Sequence, residues 1–472
     1  MAANSDLVAK LWNLCNVLKD DGVSYQDYAT ELTYLLFLKM AEETGKQEGI
    51  PARYRWAALK EIGNDKLLGY YRGLLLHLGE EGRSRVKEIF RDAQTSLRQP
   101  RHLRELITGL DSLDWYAARE DGALADLYEG LLEKNSAEIK GGAGQYFTPR
   151  PLIDSIVTLL KPRAGEIIQD PAAGTGGFLI AADRYIRTET DGYSTLSAAA
   201  QEFQLTSAYV GAELVPDTHR MGLMNLYLHG VSGHYKCGDT LGSLGESLPA
   251  ANLILTNPPF GTKKGGGLPT RTDFTFRTSN KQLCFLQHIY RGLKTGGRAG
   301  VVIPDLQGHA APEVLADLMD KCDLHTVLRL PTGIFYAQGV KTNVYFFTRG
   351  KTDTGNTKEV WIYDMRSNMP AFGKRTPLTR DHFAEFEKAF GSDPYGKGKR
   401  RDEGEQGRFR RFDRDYIREN GDSLDVNWGN DNGSEMLTKS LSPDDLTKRI
   451  ESQLKLALKE LAALTREQRS RR

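Results

Sequence analysis

A glycine cluster at residues 141–144 divides the 472-residue chain into two kinds of sequence. Beyond it, short apolar stretches alternate with helical spans: EIIQD (166–170), AYVGAE (208–213), YKCGD (235–239), NLILT (252–256), AGVVIP (299–304), HTVLRL (325–330) and NVYFFT (343–348), with VWIYDM (360–365) a further candidate. This alternation predicts an α/β fold, a parallel sheet with helices packed on its faces. Open sheets of that kind bind ligands outside the carboxyl ends of their strands, so the turns after these stretches are where function is sought.

Ahead of the cluster, apolar positions recur at helical spacing and β-branched runs are absent, as in the stripe Leu32, Leu35, Leu36, Met40. Residues 1–140 are expected to form an N-terminal helical domain and residues 141–375 the sheet domain. Gly22 breaks one helix, and Ser24 with Asp27 suits the start of the next. After about Thr376 the alternation fades, and 396–412 (GKGKRRDEGEQGRFRRF) reads as a charged, mobile surface segment. The region 376–472 ends in an amphipathic helix at 442–466. Ser442 caps it, Pro443 takes its first position, and Asp444 and Asp445 suit the helix dipole. Its seam of Leu446, Ile450, Leu454, Ala457, Leu461 and Leu464 runs near the coiled-coil period and needs a surface to cover it, on this chain or another.

No run of ~18 apolar residues is present to cross a bilayer, and the first residues lack a basic stretch followed by an apolar one, so a cytoplasmic protein is expected. Cys15, Cys237, Cys284 and Cys322 are scattered without a CxxC pair, which points to neither a disulfide framework nor a metal site. The formal net charge of +1 neither supports nor excludes nucleic acid.

Two turns carry chemistry. Asn257-Pro258-Pro259-Phe260 follows the strand NLILT directly. The prolines remove backbone donors and leave carbonyl oxygens free to accept. An exocyclic amine conjugated to a purine is a poor nucleophile. Acceptance of its two protons, one by the Asn257 side-chain oxygen and one by the Pro258 carbonyl, would return the lone pair to nitrogen, with Phe260 offering a stacking face. Standing alone, the tetrapeptide reads first as a tight turn. The other turn, DPAAGTGGF from Asp170, follows the first strand and opens a helix. It fails the dinucleotide pattern G-x-G-x-x-G at Leu179. Glu213, ending the second strand, suits ribose hydroxyls, and Asp239, ending the third, suits an adenine amino group. A glycine loop followed by an acid on each of the next two strands fits an adenosyl ligand without a pyrophosphate.

On these motifs the chain resembles the amino-methylating DNA methyltransferases, and within them the modification subunit of type I restriction-modification systems. The resemblance covers nearly the whole chain: Gln145-Tyr146-Phe147-Thr148-Pro149, the DPAAGTGGF loop, Glu213, Asp239, NPPF and GIFYAQGVKTNVYFF follow in the family's order. It implies a Rossmann-like S-adenosylmethionine-dependent methyltransferase sheet with an N-terminal helical domain and a C-terminal helical tail. It also implies a cofactor set of Gln145, Tyr146, Phe147, Thr148, Asp170, Ala172, Gly174, Thr175, Gly176, Glu213, Asp239 and Thr240. Asn257, Pro258, Pro259 and Phe260 would form the catalytic turn, where Phe260 replaces the family's frequent tyrosine. Phe335 or its neighbour Tyr336 would stack the other face of an adenine flipped from the duplex. The reaction implied is direct methyl transfer to adenine N6, without a metal.

The resemblance further implies partners: double-stranded DNA, a specificity subunit that binds two copies of this chain, and a restriction subunit in the full complex. Little sequence remains beyond VWIYDM for a target-recognition domain, so base readout is expected on the specificity subunit, with the 442–466 helix its dock. Lys263, Lys264, Arg271, Arg277 and Lys281 near the catalytic turn are candidates for phosphate contact, beside the plainer reading of a solvated loop. Residues 391–397 nearly spell a phosphate-binding loop, but Gly398 stands where Ser or Thr is required, which excludes an ATPase of that type. Two alternatives remain at this stage: methylation of a protein glutamine amide, which needs the same acceptors, and a non-catalytic scaffold.

Overall fold

A computed structural model of the protein describes residues 2–14, 25–45, 47–82, 85–113, 115, 123–138, 147–261, 268–306, 310–331, 333–335, 341–366, 369–370, 372–373, 376–426 and 428. Gly22, Ser24, the 141–144 cluster, Gln145, Tyr146, Lys263, Lys264, Tyr336 and the 442–466 helix lie outside the described residues.

The N-terminal part is helical: α1 (Ala2–Asn13), α2 (Tyr25–Glu43), α3 (Trp56–Glu61), α4 (Asn64–Glu81), α5 (Arg85–Phe90), α6 (Pro100–Asp111) and α7 (Ala123–Glu138). Leu32, Leu35, Leu36 and Met40 are buried, yet α2 is not a one-sided helix, because Glu31, Thr33 and Lys39 are buried with them. A helix buried around its circumference belongs at the centre of its bundle. Its polar groups are accordingly paired: the Thr33 hydroxyl with Tyr128 at 2.9 Å, Lys39 with Glu43 at 2.6 Å, and Glu31 with Tyr71 at 3.2 Å.

Helix α8 (Arg150–Leu160) leads into the sheet domain. There follow β1 (Ile168–Asp170), α9 (Gly177–Glu189), α10 (Ala198–Thr206), β2 (Tyr209–Glu213), α11 (Pro216–Leu228), β3 (His234–Cys237), α12 (Ser243–Glu246), β4 (Ala251–Thr256), α13 (Lys281–Gly292), β5 (Leu293–Pro304) and α14 (Ala311–Lys321). The chain closes, among the described residues, with β6 (Cys322–Arg329), β7 (Thr342–Arg349), β8 (Glu359–Asp364), α15 (Ala384–Phe390), β9 (Phe409–Asp413) and α16 (Arg414–Glu419). The strands join in one sheet of order β3-β2-β1-β4-β5-β7-β6-β8-β9.

From β3 to β5 every pairing is parallel, and the chain reverses its direction of travel between β1 and β4. With Gln169 opposite Ile254, the loop after Asp170 and the turn after Thr256 emerge side by side. The other half departs from the all-parallel expectation. β7 runs antiparallel between β5 and β6, because the β6–β7 connection contains no crossover helix among its described residues and simply returns the chain.

Residues 396–412 correct a second expectation, for part of this segment is a sheet edge rather than a structureless surface run. β9 pairs antiparallel with β8; the buried Phe409 ring lies 4.9 Å from Trp361, and Arg410 pairs with Asp402 at 2.9 Å. Arg400 donates to the His325 carbonyl at 3.1 Å and lies 5.1 Å over the Phe390 ring.

The helices through α7 and the sheet belong to one compact unit, Met1–Asp402 with Arg408–Leu424; Glu403–Gly407 and Asp425–Arg472 form a second. Within the first, α11 is the link. Its buried Arg220 donates to the carbonyls of Ile89 and Arg91, each at 2.9 Å, and lies 5.3 Å over the Tyr34 ring of α2. The other edge of α11 faces the glycine loop.

Candidate active site

The loop after β1 is held by its carbonyls. Asn225 Nδ2, on α11, donates to the Thr175 carbonyl at 2.9 Å; the Tyr235 hydroxyl, on β3, donates to the Gly174 carbonyl; Thr240 Oγ1 donates to the Pro171 carbonyl at 2.6 Å. Three side chains from beneath thus fix three loop carbonyls, which a backbone with unsatisfied acceptors requires. Gly174 (φ +56°) and Gly176 (φ +82°) take the left-handed conformation that lets the loop turn into α9. A Cβ added at Gly174 would meet no heavy atom within 4 Å, so open space lies over the loop.

Glu213 closes one side of that space. Its carboxylate accepts from Gly174 N at 3.1 Å and from Val215 N at 2.8 Å. Burial holds its carboxyl above the ordinary range, against the pull of those backbone donors. Leu214 follows, 59% exposed although apolar, at the same strand end. Asp239 is half-buried beyond β3 and accepts from Leu241 N at 2.8 Å. Asp170 is buried beneath the loop and accepts from Ala172 N at 3.1 Å. Burial pushes its carboxyl up to about 7, the nearby Glu213 charge acting in the same direction.

The Asn257 turn stands at the end of β4. Asn257 Nδ2 donates to Thr148 Oγ1 at 2.9 Å, so the acceptor end of the amide is turned away from that hydroxyl. Pro258 is buried, and Pro259 and Phe260 are half-buried. Gly261, at φ +95°, ends the turn, and Gln282 at the start of α13 brackets it. With the amide oriented to match donors to acceptors, Gln282 accepts from Gly261 N at 2.6 Å and donates to its carbonyl at 3.1 Å. The Phe260 and Phe335 rings meet edge to face, 6.2 Å apart at 71°.

The structure therefore gathers Thr148, Asn257, Phe260 and Phe335 in one contact chain, and Asp170, Ala172, Gly174, Thr175, Gly176, Glu213 and Thr240 around one loop. Phe147 is half-buried beside Thr148 and packs against the core. Arg271 backs this group from behind Thr240 rather than facing outward as a free cation. Its side chain is 4% exposed, donates twice to Asp273 and once to the Thr240 carbonyl at 3.1 Å, and covers the Phe274 ring. Arg277 is exposed and Lys281 half-buried. Sequence reasoning missed Leu214, Asn225, Tyr235 and Gln282. Leu214, directly after an acid at a strand end, carried a readable signal; the others act on backbone groups that only the fold brings to them.

A Rossmann-like sheet with a glycine loop after β1, an acid at the end of β2 and an acceptor turn after β4 defines a methyltransferase of the S-adenosylmethionine-dependent fold. Residues 119–433 match the model of the N-6 DNA Methylase family. The chain is 48% identical to the type I restriction enzyme StySPI methylase subunit of Salmonella potsdam, over 98% of this chain and 95% of that protein. Among solved structures it is similar to the EcoKI M protein (45% identity, TM-score 0.59, 98% of this chain and 96% of that one). It is similar also to a chain of a type I restriction-modification system described for its assembly and conformational transition (27% identity, TM-score 0.73, 98% and 97%). The chain belongs to the N-6 DNA methylases, among the methylase subunits of type I restriction enzymes. It is an adenine-specific DNA methyltransferase. Among the described residues, no helix is long and apolar enough to cross a membrane.

Proposed function

We propose that this chain uses S-adenosylmethionine to methylate adenine N6 in double-stranded DNA, as the modification subunit of a type I restriction-modification complex in the cytoplasm. The observation that carries the reading is the emergence of the Asp170 loop and the Asn257 turn side by side from β1 and β4, with Thr148 bonded to Asn257. The open space at Gly174, whose N–H donates to Glu213, and the exposed Leu214 directly after that acid support an adenosyl ligand at this strand end. Glu213 would hold its ribose, Asp239 and Thr240 its adenine side, and Gln145, Tyr146, Phe147, Thr148 and the 174–176 loop its methionine end. When bound, the cofactor supplies an electrophilic methyl group on a sulfonium.

This chain's residues do the rest. The Asn257 oxygen and the Pro258 carbonyl accept hydrogen bonds from the two N6–H groups, which localises the nitrogen lone pair, and the proton that N6 sheds on methylation passes to solvent. Phe260 and Phe335 stack the flipped base. A base held between two rings needs roughly 7 Å of separation at stacking contact. The rings touch edge to face at 6.2 Å, so one must turn as the base enters. Much of the rate then comes from positioning.

Residues 1–140 serve as the helical domain, 141–375 as the catalytic domain and 376–472 as a C-terminal region whose β9 joins the catalytic sheet and whose helix at 442–466 serves for docking. Sequence readout is delegated to a specificity subunit that binds two copies of this chain, and a restriction subunit completes the assembly. The test is Asn257→Ala in the complex with that subunit, assayed with labelled S-adenosylmethionine on DNA and on a glutamine-containing peptide. The expected result is retained cofactor binding with loss of DNA methylation. Undiminished turnover refutes the assigned role, and transfer to the peptide by the unaltered complex would favour the amide as substrate.

A further inference from the structure

Beyond the catalytic turn, a group of polar side chains ties together strand ends on the carboxyl side of the sheet. Asp305, one residue past β5, accepts through Oδ1 from Asn343 Nδ2 at 2.7 Å and from Arg366 Nη2 at 3.0 Å. Arg366, two residues past β8, also donates to Asn343 Oδ1 at 3.0 Å, so the three side chains close a ring. The arginine is anchored in turn: its backbone N–H donates to Asp364 Oδ1 at 2.7 Å, and Asp364 Oδ2 pairs with Arg329 at 3.3 Å. The ring thereby joins the ends of β5 and β8 to the start of β7, and Asp364 extends it to the end of β6.

These ties surround the root of the loop that bears Phe335. The loop leaves the sheet at Leu330, whose N–H donates to the Thr342 carbonyl at 2.9 Å, and returns at Lys341, whose carbonyl accepts from Asp305 N at 3.0 Å. Asp305 thus grips the returning strand twice, by its backbone at Lys341 and by its carboxylate at Asn343. β5 runs three residues beyond Val301, the partner of Thr256, which brings the ring to the side of the sheet on which Phe335 meets Phe260.

Strand register does not need the ring. Seven residue pairs already align β5 with β7, and seven align β6 with β7. The Asp305 and Arg366 side chains are only 22% and 14% exposed. A largely buried ion pair is a weak stabiliser relative to apolar packing, and its best-attested use is to specify one geometry. We propose that Asp305, Asn343 and Arg366 are positioning residues for Phe335, setting the loop that presents this ring to the target base. The inference rests on the reading above in which Phe335 stacks that base.

The experiment is a double-mutant cycle in the complex with the specificity subunit, on a duplex carrying its mapped target. Arg366→Met and Phe335→Ala are made singly and together, and kcat, the KM for DNA, the cofactor Kd and the melting temperature are read for each. Arg366→Met should lower kcat/KM for DNA about tenfold while the cofactor Kd stays within about twofold of the parent. In the Phe335→Ala background it should cost nothing further, and Arg366→Lys should recover part of the loss. A duplex with 2-aminopurine at the target adenine should show weaker fluorescence enhancement in Arg366→Met. Losses that multiply in the double variant overturn the inference and leave the stacking reading intact. Full activity in Phe335→Ala removes the stacking reading itself. Should Arg366→Met melt below the assay temperature, Asn343→Ala carries the same cycle.

Discussion

Thr148 and Asn257, 109 residues apart in sequence, are joined by a 2.9 Å hydrogen bond from the asparagine amide to the threonine hydroxyl. The segment ahead of α8 thereby touches the Asn257 turn, as well as lying where the cofactor's methionine end is proposed. Thr148→Val keeps the volume and removes the acceptor, so the Asn257 amide loses its tether. Single-turnover methyl transfer should fall by about one to two orders of magnitude, the range in which misplacement by about an ångström acts. Thr148→Ser should restore most of it. Cofactor affinity, measured separately, divides the two roles; equal single-turnover rates in the valine and serine variants would exclude the tether.

Gly222 sits inside α11, where glycine costs roughly 0.5–1 kcal/mol against alanine. A Cβ there would stand 2.6 Å from the Tyr235 hydroxyl and 2.9 Å from the Gly174 carbonyl. The hydroxyl that fixes the glycine loop needs that space. Gly222→Ala should therefore weaken cofactor binding about tenfold or more, as judged by titration calorimetry, although helix propensity alone favours it. Unchanged affinity would mean that the loop tolerates losing the Tyr235 tether.

The sequence predicted eight of the nine strands found among the described residues, most of them because buried strands such as NLILT read as continuous apolar runs. β9 escaped for a physical reason. Its two buried residues, Phe409 and Phe412, are three apart, which fits no period of two, and the arginines between them read as solvated. Site residues whose own side chains are proposed to meet a ligand, such as Glu213 and Asn257, announced themselves by place and type. Residues that hold a loop carbonyl or a turn amide, such as Asn225 and Gln282, did not, since any of dozens of polar side chains could have met those groups. Arg271 shows the converse limit: charge and proximity in sequence suggested phosphate, but its donors are spent on Asp273 and Thr240.

Asp170 gives the protein a signed pH dependence. Burial raises its carboxyl from 3.8 to about 7 in the folded chain. Because the folded state binds the proton more tightly than the unfolded state, the contribution of this group is fully present below pH 4 and is lost as pH rises through about 7. Asp170→Asn keeps an oxygen for the Ala172 N–H and cannot ionise. The variant should melt higher than the parent at pH 8, and the gap should close as pH falls toward 4. Glu31, also raised to about 7 by burial, gives both proteins the same additional slope and cancels from the difference between the two melting curves, which reports Asp170 together with the Glu213 carboxyl coupled to it. A difference that does not vary with pH would place the carboxyl in its ordinary range.

Arg271 and Arg277 set a structural charge beside a candidate DNA-binding one within seven residues of chain. Arg277 is exposed and lies between the Asn257 turn and α13, so its replacement by alanine should leave the melting temperature unchanged. If it neutralises one phosphate, it should lower the slope of log affinity against log salt by about one, which is measured by DNA binding of the complex across a salt series. Arg271→Ala should behave oppositely. It leaves Asp273 without the guanidinium that holds its carboxyl below the usual range, and it removes the donor on the Thr240 carbonyl, one residue past Asp239. A loss of about 2 kcal/mol in stability is expected, in the range for hydrogen bonds to charged groups, with an unchanged salt slope. A reduced slope in the Arg271 variant at full stability would mean that this side chain leaves Asp273 to meet DNA.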